Sequence, residues 1–169
     1  MLAYALRLLA RRAWSAGELR QKLERRAARP EDVRAVFERL KEYGYVDDRR
    51  FAEAFTVARL ESNGFGRQRV LRDLDRRRVA PGLARETVER VVAGVDETAL
   101  IEDYLRRKFR NVALEEHLAE PRRLAAAYRR LRGAGFSPGN VIRVLKRFAA
   151  QADALESLEE AEDGPEKNG

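Results

Sequence analysis

The sequence contains no cysteine, one histidine and one tryptophan among its 169 residues. The absence of cysteine excludes disulfides, thiol catalysis and the cysteine-based structural zinc sites. With His117 as the single histidine, a multi-histidine metal centre is excluded, and a Ser-His-Asp triad could be built only around this residue. His117 lies beside Glu115 and Glu116, and we interpret it as a surface residue.

Long apolar runs are also missing. No stretch approaches the roughly 20 apolar residues that a membrane-spanning helix needs. The apolar run over residues 1–6 has no basic segment before it, which argues against a signal peptide. We therefore expect a cytoplasmic protein that makes no contact with a membrane.

Charge is abundant and unevenly distributed. Lys and Arg total 35 against 28 Asp and Glu, which gives a net charge of +7. Residues 150–169 hold seven acids and one base, so this tail carries −6 and residues 1–149 carry +13. A basic body with an acidic tail predicts a polyanionic partner, nucleic acid first of all, although each basic cluster could equally form an ordinary solvated surface. We expect removal of residues 151–169 to tighten DNA binding and to leave the fold intact.

Helical periodicity dominates the chain. Apolar residues recur at steps of three and four, as at Val33, Val36, Phe37 and Leu40. Runs that alternate with period two are missing, so we predict an all-α fold. The predicted helices span residues 2–12, 15–28, 30–43, 48–62, 66–78, 81–93, 97–110, 121–132 and 138–150.

Local signals support these helix boundaries. Ser15 and Glu18 have the spacing of a capping box, in which each side chain accepts from a backbone N–H at the helix start. Proline suits the first position of a helix and glycine suits its end. The prolines and glycines so placed are Pro30, Pro81, Pro121, Pro138, Gly44, Gly64, Gly94 and Gly133.

The spacing of these signals repeats along the chain. A shift of 51 residues places Trp14 on Phe65 and Pro30 on Pro81, and a further shift of 57 places Pro81 on Pro138. We predict three tandem three-helix repeats in an elongated, curved array, with a compact bundle as the alternative. The repeats span residues 1–46, 47–94 and 95–150, and an acidic flexible tail follows over 151–169.

Two motifs suggest chemistry at first sight. Asp47 and Asp48 could hold a metal or share a proton, but an acid just before a helix also caps its amides. We interpret the pair as a cap, with Asp48 at the helix over 48–62. The turns Gly64-Phe65-Gly66 and Gly133-Ala134-Gly135 resemble fragments of phosphate loops, but neither follows a strand nor completes the motif. We predict no catalytic, metal or cofactor site, and hence no enzyme.

Basic clusters are the remaining candidates for binding. Their side chains could pair with phosphates or with an acidic protein surface. The cluster members are Arg67, Arg69, Arg72, Arg76, Arg77 and Arg78; Arg106, Arg107, Lys108 and Arg110; Arg122, Arg123, Arg129, Arg130 and Arg132; and Arg143, Lys146 and Arg147. Nearby aromatic residues could stack on bases, but their helical spacing favours a place in the core. These aromatic residues are Phe65, Tyr104, Phe109 and Tyr128.

The run LKEYGYVDDRRFA over residues 40–52 resembles the "L…GY[IVL]DD.RFA" signature of the RecX family, the bacterial regulators of the RecA recombinase. Two flanking segments match as well, "S..EL..KL" before it and "G…RI…L" after it. The matching residues are Ser15, Glu18, Leu19, Leu23, Gly64, Arg69 and Leu74. The resemblance covers residues 3 to about 149 and is strongest in the first two repeats. One departure is Ala80, where many members carry a glycine-containing turn.

The resemblance implies a non-enzymatic regulator that needs no cofactor. It implies binding in the groove of the RecA nucleoprotein filament, which blocks filament extension or promotes disassembly. Recombination, DNA repair and the SOS response would be modulated in consequence. Single- and double-stranded DNA are implied as further partners, and we expect a monomer. The signature residues Gly44, Asp47, Asp48 and Phe51 are assigned a structural, capping role.

Two other functions stay open. The chain could bind DNA independently of RecA, with each three-helix unit acting as a helix-turn-helix reader. The third helices of the first two units, over 31–42 and 83–92, mix acids with apolar residues and suit base reading poorly. We therefore expect salt-sensitive DNA binding without sequence preference. A scaffold protein without nucleic acid is the weaker alternative.

Overall fold

The fold is entirely helical over the residues that the computed structural model describes, which are 1–149 and 152. This confirms the all-α prediction. Of the predicted acidic tail over 151–169, Ala152 is described and is fully buried in an apolar core; the other tail residues lie outside the described part of the chain. Ten helices are present in this part of the chain, and no strand. They are α1 (Leu2–Leu9), α2 (Ala16–Glu24), α3 (Pro30–Glu42), α4 (Asp48–Glu61), α5 (Arg67–Arg76), α6 (Pro81–Val92), α7 (Glu97–Lys108), α8 (Leu114–Leu118), α9 (Pro121–Gly133) and α10 (Pro138–Leu145).

The predicted helix starts are confirmed. A proline stands at the first position of α3, α6, α9 and α10, where its missing N–H leaves no helical hydrogen bond unmade. Ser15 is the N-cap of α2, and its Oγ accepts from the Glu18 N–H at 3.1 Å. The prediction that the Glu18 carboxylate accepts from a backbone N–H at the helix start is wrong. This carboxylate pairs with Arg77 and Arg12 instead.

Helix ends follow the sequence less closely. Gly44 and Gly64 adopt left-handed conformations with φ of 67° and 61°, as expected of helix exits. After α9 the left-handed residue is Gly135, with φ of 94°, rather than the predicted Gly133, which is still helical. The helix predicted over 15–28 ends at Glu24.

The connection over 111–120 holds a helix that the sequence did not predict. This helix, α8, is five residues long, too short for apolar periodicity to show. Leu118 is fully buried in the core formed with α7, α9 and α10. His117 packs its ring against Phe109, with 4.8 Å between ring centroids.

The described residues divide into two compact units, each with its own apolar core. Unit 1 contains residues 1–59 and 70–93, and unit 2 contains residues 60–69 and the chain from 94 onward. A core cluster of unit 1 comprises Ala5, Leu19, Leu23, Val33, Val36, Phe37 and Leu40. The core of unit 2 includes Ile101, Leu105, Leu118, Leu124, Tyr128, Leu131, Phe136, Val141, Val144 and Leu145.

Within unit 1, the start of α2 lies directly against the turn that follows α5. The Ser15 hydroxyl donates to the carbonyl oxygen of Arg77. A Cβ atom on Gly17 would lie 2.4 Å from the Arg78 carbonyl oxygen, so only glycine allows this approach. Arg78 itself has φ of 58°, which is the left-handed region that favours glycine.

Within unit 2, the start of α5 meets the turn after α9 in the same way. The Gly66 N–H donates to the Ala134 carbonyl at 2.8 Å, and the Gln68 N–H donates to the Gly135 carbonyl at 3.0 Å. Gly66 is Ser15 shifted by 51 residues, and Ala134 is Arg77 shifted by 57. The sequence repeat therefore places equivalent positions in contact in each unit. The hydrogen bond comes from a side-chain hydroxyl in unit 1 and from backbone N–H groups in unit 2.

Candidate nucleic-acid interface

Helix α9 separates an apolar face from a face of arginines. Leu124, Ala127, Tyr128 and Leu131 are buried in unit 2. The opposite face exposes Arg122, Arg123, Ala126, Arg129, Arg130 and Gly133. At 100° per residue these positions span an arc of about 120° around the helix axis. We call the four arginines, Arg122, Arg123, Arg129 and Arg130, the α9 stripe.

A long segment of the sequence that begins with α9 contains no acidic residue. Residues 121–152 contain eight Lys or Arg residues and no Asp or Glu, in a chain that has 28 acids. This acid-free window could have been read from the sequence, but a count of basic clusters alone misses it. Acids from outside this window still pair with two of its arginines, Arg123 and Arg147. The other exposed arginines of α9 form the kind of basic patch that suits phosphate binding.

Three arginines of the α9 stripe have no acidic partner among the described residues. Arg123 pairs with Glu120 at 2.7 Å, whereas Arg122, Arg129 and Arg130 form no ion pair within the described part of the chain. Arg132, the fifth member of the predicted cluster, has a structural role. It is half-buried, and its Nη1 donates to the Phe136 carbonyl at 2.9 Å.

The clusters on α7 and α10 are partly neutralised. Arg106 pairs with Glu102 and Asp103 at 2.9 Å each, and Arg147 pairs with Glu102. Arg107 donates to the Asp103 carbonyl oxygen at 3.3 Å. Three members are exposed and lack an ion pair among the described residues; these are Lys108, Arg110 and Arg143. Lys146 is exposed as well.

The predicted cluster on α5 does not act as one surface. Arg77 donates to both carboxylate oxygens of Glu18, at 3.0 and 3.1 Å, and anchors the α2 junction of unit 1. Arg76 lies 3.6 Å from Asp73, and Arg69 lies over the Phe65 ring at 5.1 Å. The other members, Arg67, Arg72 and Arg78, are exposed.

The aromatic candidates for base stacking belong to the core of unit 2. Tyr128 is 1% exposed, and Phe65, Tyr104 and Phe109 pack against the same cluster while partly buried. This agrees with the prediction from their helical spacing, and it leaves the arginines as the candidate contacts to nucleic acid.

Unit 1 pairs several of its surface arginines with acids across helices. Arg49 of α4 lies 2.7 Å from Glu86 of α6, and Arg90 of α6 lies 3.3 Å from Glu53 of α4. Hydrogen bonds from Arg90, and then its positive charge, hold the pKa of Glu53 below its ordinary value. These cross-helix pairs neutralise charge, in contrast to the α9 stripe.

The two aspartates of the signature cap two different helices. The Asp47 Oδ1 accepts from the N–H groups of Arg49 and Arg50, at 2.9 and 3.0 Å, so Asp47 caps α4. Asp48 is the first residue of α4, and its Oδ1 accepts from the Ala16 N–H at 2.6 Å. The prediction that Asp48 caps α4 is wrong by one residue, because the helix begins at Asp48 rather than after it.

We expect Asp48→Ala to lower the free energy of unfolding by about 0.5–2 kcal/mol, because the Ala16 N–H at the start of α2 loses its acceptor. Asp48→Asn should have a smaller effect, since an amide oxygen can still accept. Urea unfolding of both variants measures this difference. An Asp48→Asn protein that melts like the parent but no longer binds DNA would place this side chain on a functional surface.

Residues 1–149 and 152 were also compared with the requirements of a metal site and of a membrane span. No group of three or more His, Asp or Glu side chains there could hold a metal ion. None of the described helices has the length and apolar character required to cross a membrane.

Comparison with known proteins decides the family. Residues 2–40 match the family model described as RecX, first three-helix domain, and residues 47–88 match the one described as RecX, second three-helix domain. A regulatory protein RecX from Trichlorobacter lovleyi is 35% identical, over 61% of this chain and 78% of that protein. The chain belongs to the RecX family.

Other RecX proteins match over different shares of their length. The regulatory protein RecX of Syntrophotalea carbinolica is 29% identical over 76% of this chain and 84% of its own. That of Halorhodospira halophila is 47% identical over 50% of this chain and 52% of its own, so the match spans about half of that relative. These relatives are named regulatory proteins, and a regulatory role follows for this RecX chain.

Solved RecX structures share the fold. A crystal structure of RecX from Lactobacillus salivarius superimposes with a TM-score of 0.68 at 12% identity, covering 87% of this chain and 93% of that one. Another, of a regulatory protein RecX, gives 0.67 at 18% identity, covering 86% and 70%. At these identities the likeness shows the fold alone.

Proposed function

We propose that this RecX chain is a non-enzymatic regulator of the RecA recombinase. It binds the RecA–DNA filament in the groove, blocks filament extension or promotes disassembly, and thereby modulates recombination, DNA repair and the SOS response. It acts in the cytoplasm as a monomer and without a cofactor. The RecX resemblance in the sequence supplies RecA as the protein partner.

The α9 stripe is the observation that carries the DNA part of this proposal. Three guanidinium groups with no acidic partner among the described residues lie on one helix face, in a window of 32 residues without an acid, and suit phosphates spaced along a nucleic-acid backbone. Arginines that hold phosphates carry no sequence information. The DNA contact is therefore indifferent to sequence, and selectivity comes from the protein component of the filament.

Co-sedimentation tests the proposal against its alternative, a DNA-binding protein that acts independently of RecA. The chain is pelleted with RecA on single-stranded DNA, with single-stranded DNA alone and with RecA alone. We expect more of the chain in the pellet with the complete filament than with either component. Equal pelleting with DNA alone and with the filament would favour the alternative and contradict a role at RecA.

A further inference from the structure

Unit 1 holds an open cleft of about 580 Å³ between the end of α1, the turn after α3 and the first half of α4. Its lining is mainly apolar and aromatic. The lining residues are Leu9, Arg12, Ala13, Trp14, Gly44, Tyr45, Asp47, Arg50, Phe51, Ala54 and Phe55. Three of the four signature residues, Gly44, Asp47 and Phe51, are among them. We call it the signature cleft, and neither the basic clusters nor the capping contacts account for it.

Short contacts hold the walls of the signature cleft in place. The Trp14 Nε1–H donates to the Leu8 carbonyl at 3.0 Å, and the Arg12 guanidinium lies 3.5 Å from the centre of the Trp14 ring. Phe51 and Phe55 stack with 5.8 Å between their ring centroids. A cleft that is already ordered loses little side-chain entropy when a partner enters it.

Two exposed tyrosines follow α3, of which Tyr45 lines the cleft and Tyr43 lies beside Tyr45. Tyr43 is 67% exposed and Tyr45 is 55% exposed, and their ring centroids lie 6.2 Å apart. Tyrosine, tryptophan and arginine are the residues in which the binding energy of protein interfaces concentrates. An apolar cleft with such residues at and beside it is typical of a site that a partner protein covers.

The charged side chains that line the signature cleft indicate which kind of partner it favours. Arg50 is exposed and forms no ion pair with any described residue, whereas Arg12 is paired with Glu18 at 3.3 Å. Asp47 also lines the cleft, and its charge repels a row of phosphates more than it repels a single carboxylate placed at Arg50. Arg12 already covers a face of the Trp14 ring, which a base would need for stacking. Arg50 instead offers one bidentate site for a carboxylate.

We propose that the signature cleft is a protein docking site. It takes a segment that carries a large apolar side chain and, within one turn of it, a carboxylate that pairs with Arg50. This inference rests on the proposed function, in which the segment belongs to the protein component of the filament. Unit 1 then holds the protein partner, while the α9 stripe of unit 2 holds nucleic acid.

Filling the cleft tests this assignment without disturbing the core. Ala54 lines the cleft and Ala58 lies one turn further along α4; both are exposed. We expect Ala54→Phe to weaken binding to the RecA–DNA filament by about tenfold or more. Affinity for a bare oligonucleotide should stay within about twofold. Arg50→Glu should behave like Ala54→Phe, and the matched control Ala58→Phe like the parent.

Trp14 supplies a second readout that does not depend on RecA. It is the single tryptophan of the chain and lines the cleft, so its emission reports occupancy. We expect a saturable emission change with a synthetic helical peptide of glutamate and leucine. We expect none with the same peptide carrying alanine for leucine, none with an oligo(dT), and none in Ala54→Phe.

The outcomes separate the two proposals. A parent protein that does not pellet with the filament contradicts the proposed function. The peptide titration alone then tests whether the cleft is a docking site. A Trp14 emission that ignores the peptide, or an Ala54→Phe variant that pellets like the parent, would overturn the docking site. Loss of oligonucleotide binding in Ala54→Phe would overturn it in favour of a nucleic-acid site.

Discussion

Replacing Gly66 by alanine should lower the free energy of unfolding by about 2–3 kcal/mol. The new Cβ would lie 2.5 Å from the carbonyl carbon and oxygen of Gly135 and 2.6 Å from the Phe136 nitrogen. These are backbone atoms, which cannot rotate away as a side chain can. Relief of the clash requires the start of α5 to move from the turn after α9. That movement breaks the hydrogen bonds that Gly66 and Gln68 donate there.

Thermal unfolding measures this effect, with an expected fall in Tm of about 4–12 °C for a chain of this size. Gly133→Ala is the matched control. Gly133 is the last residue of α9, and an added Cβ there meets nothing within 4 Å, so its Tm should be unchanged or slightly higher. Equal melting of Gly66→Ala and Gly133→Ala would show that the junction does not limit stability.

Reversing the charge of three α9 arginines should remove most of the DNA affinity. In the triple variant Arg122→Glu, Arg129→Glu and Arg130→Glu, three cations become anions on one helix face. We expect duplex binding to weaken by about 100-fold or more at low salt. The slope of log affinity against log salt should fall by about 0.9 for each phosphate that the variant no longer neutralises. Fluorescence anisotropy with labelled oligonucleotides, at several salt concentrations, measures both quantities.

Net charge alone is controlled by a second triple variant. Arg25→Glu, Arg39→Glu and Arg85→Glu change the total charge equally. All three residues are exposed in unit 1 and make no ion pair among the residues described. We expect this variant to keep most of its DNA affinity and its salt slope. Equal reductions in the two variants would mean that binding follows the total charge of the chain rather than the α9 stripe.

The helices could be predicted because their signals are local. A proline at the first helical position and apolar residues at steps of three and four act within one or two turns. All nine predicted helices are therefore found, with ends that differ by a few residues. The tenth helix, α8, was not predicted, because five residues are too few to show helical periodicity, although Leu118 is fully buried.

The junctions could not be predicted, because they join residues far apart in the chain. Gly66 and Ala134 carry no local sign that their backbones bond to one another. Their two glycine-containing turns were correctly interpreted as turns, but not as partners. The aspartate pair shows the same limit at short range. Helix α4 begins at Asp48 as predicted, so the residue before it, Asp47, is its cap. Asp48 instead accepts from the N–H of Ala16 at the start of α2.

Charge counts from the sequence could not separate arginines that form structural ion pairs from arginines that form none. Arg77 and Arg130 look alike in a cluster, yet Arg77 is fixed by Glu18, a residue 59 positions away. The acid-free window over 121–152 was the better signal, since it reports which cations have no nearby partner in sequence. The exposed Tyr43–Tyr45 pair also needed the structure, because helical spacing assigns exposed and buried aromatic residues alike to a core.

The composition of the α9 stripe fixes how its potential responds to conditions. Guanidinium groups keep their charge across about pH 5 to 9, and helix α9 carries no carboxylate or imidazole that titrates there. The positive charge on α9 itself therefore does not depend on protonation in this range. Ionic strength and competing polyanions can still screen it, because both act through counterions rather than through protons. The amino-acid sequence therefore fixes the charge of this surface. The strength of its attraction for a polyanion depends on the salt concentration and on the other polyanions present.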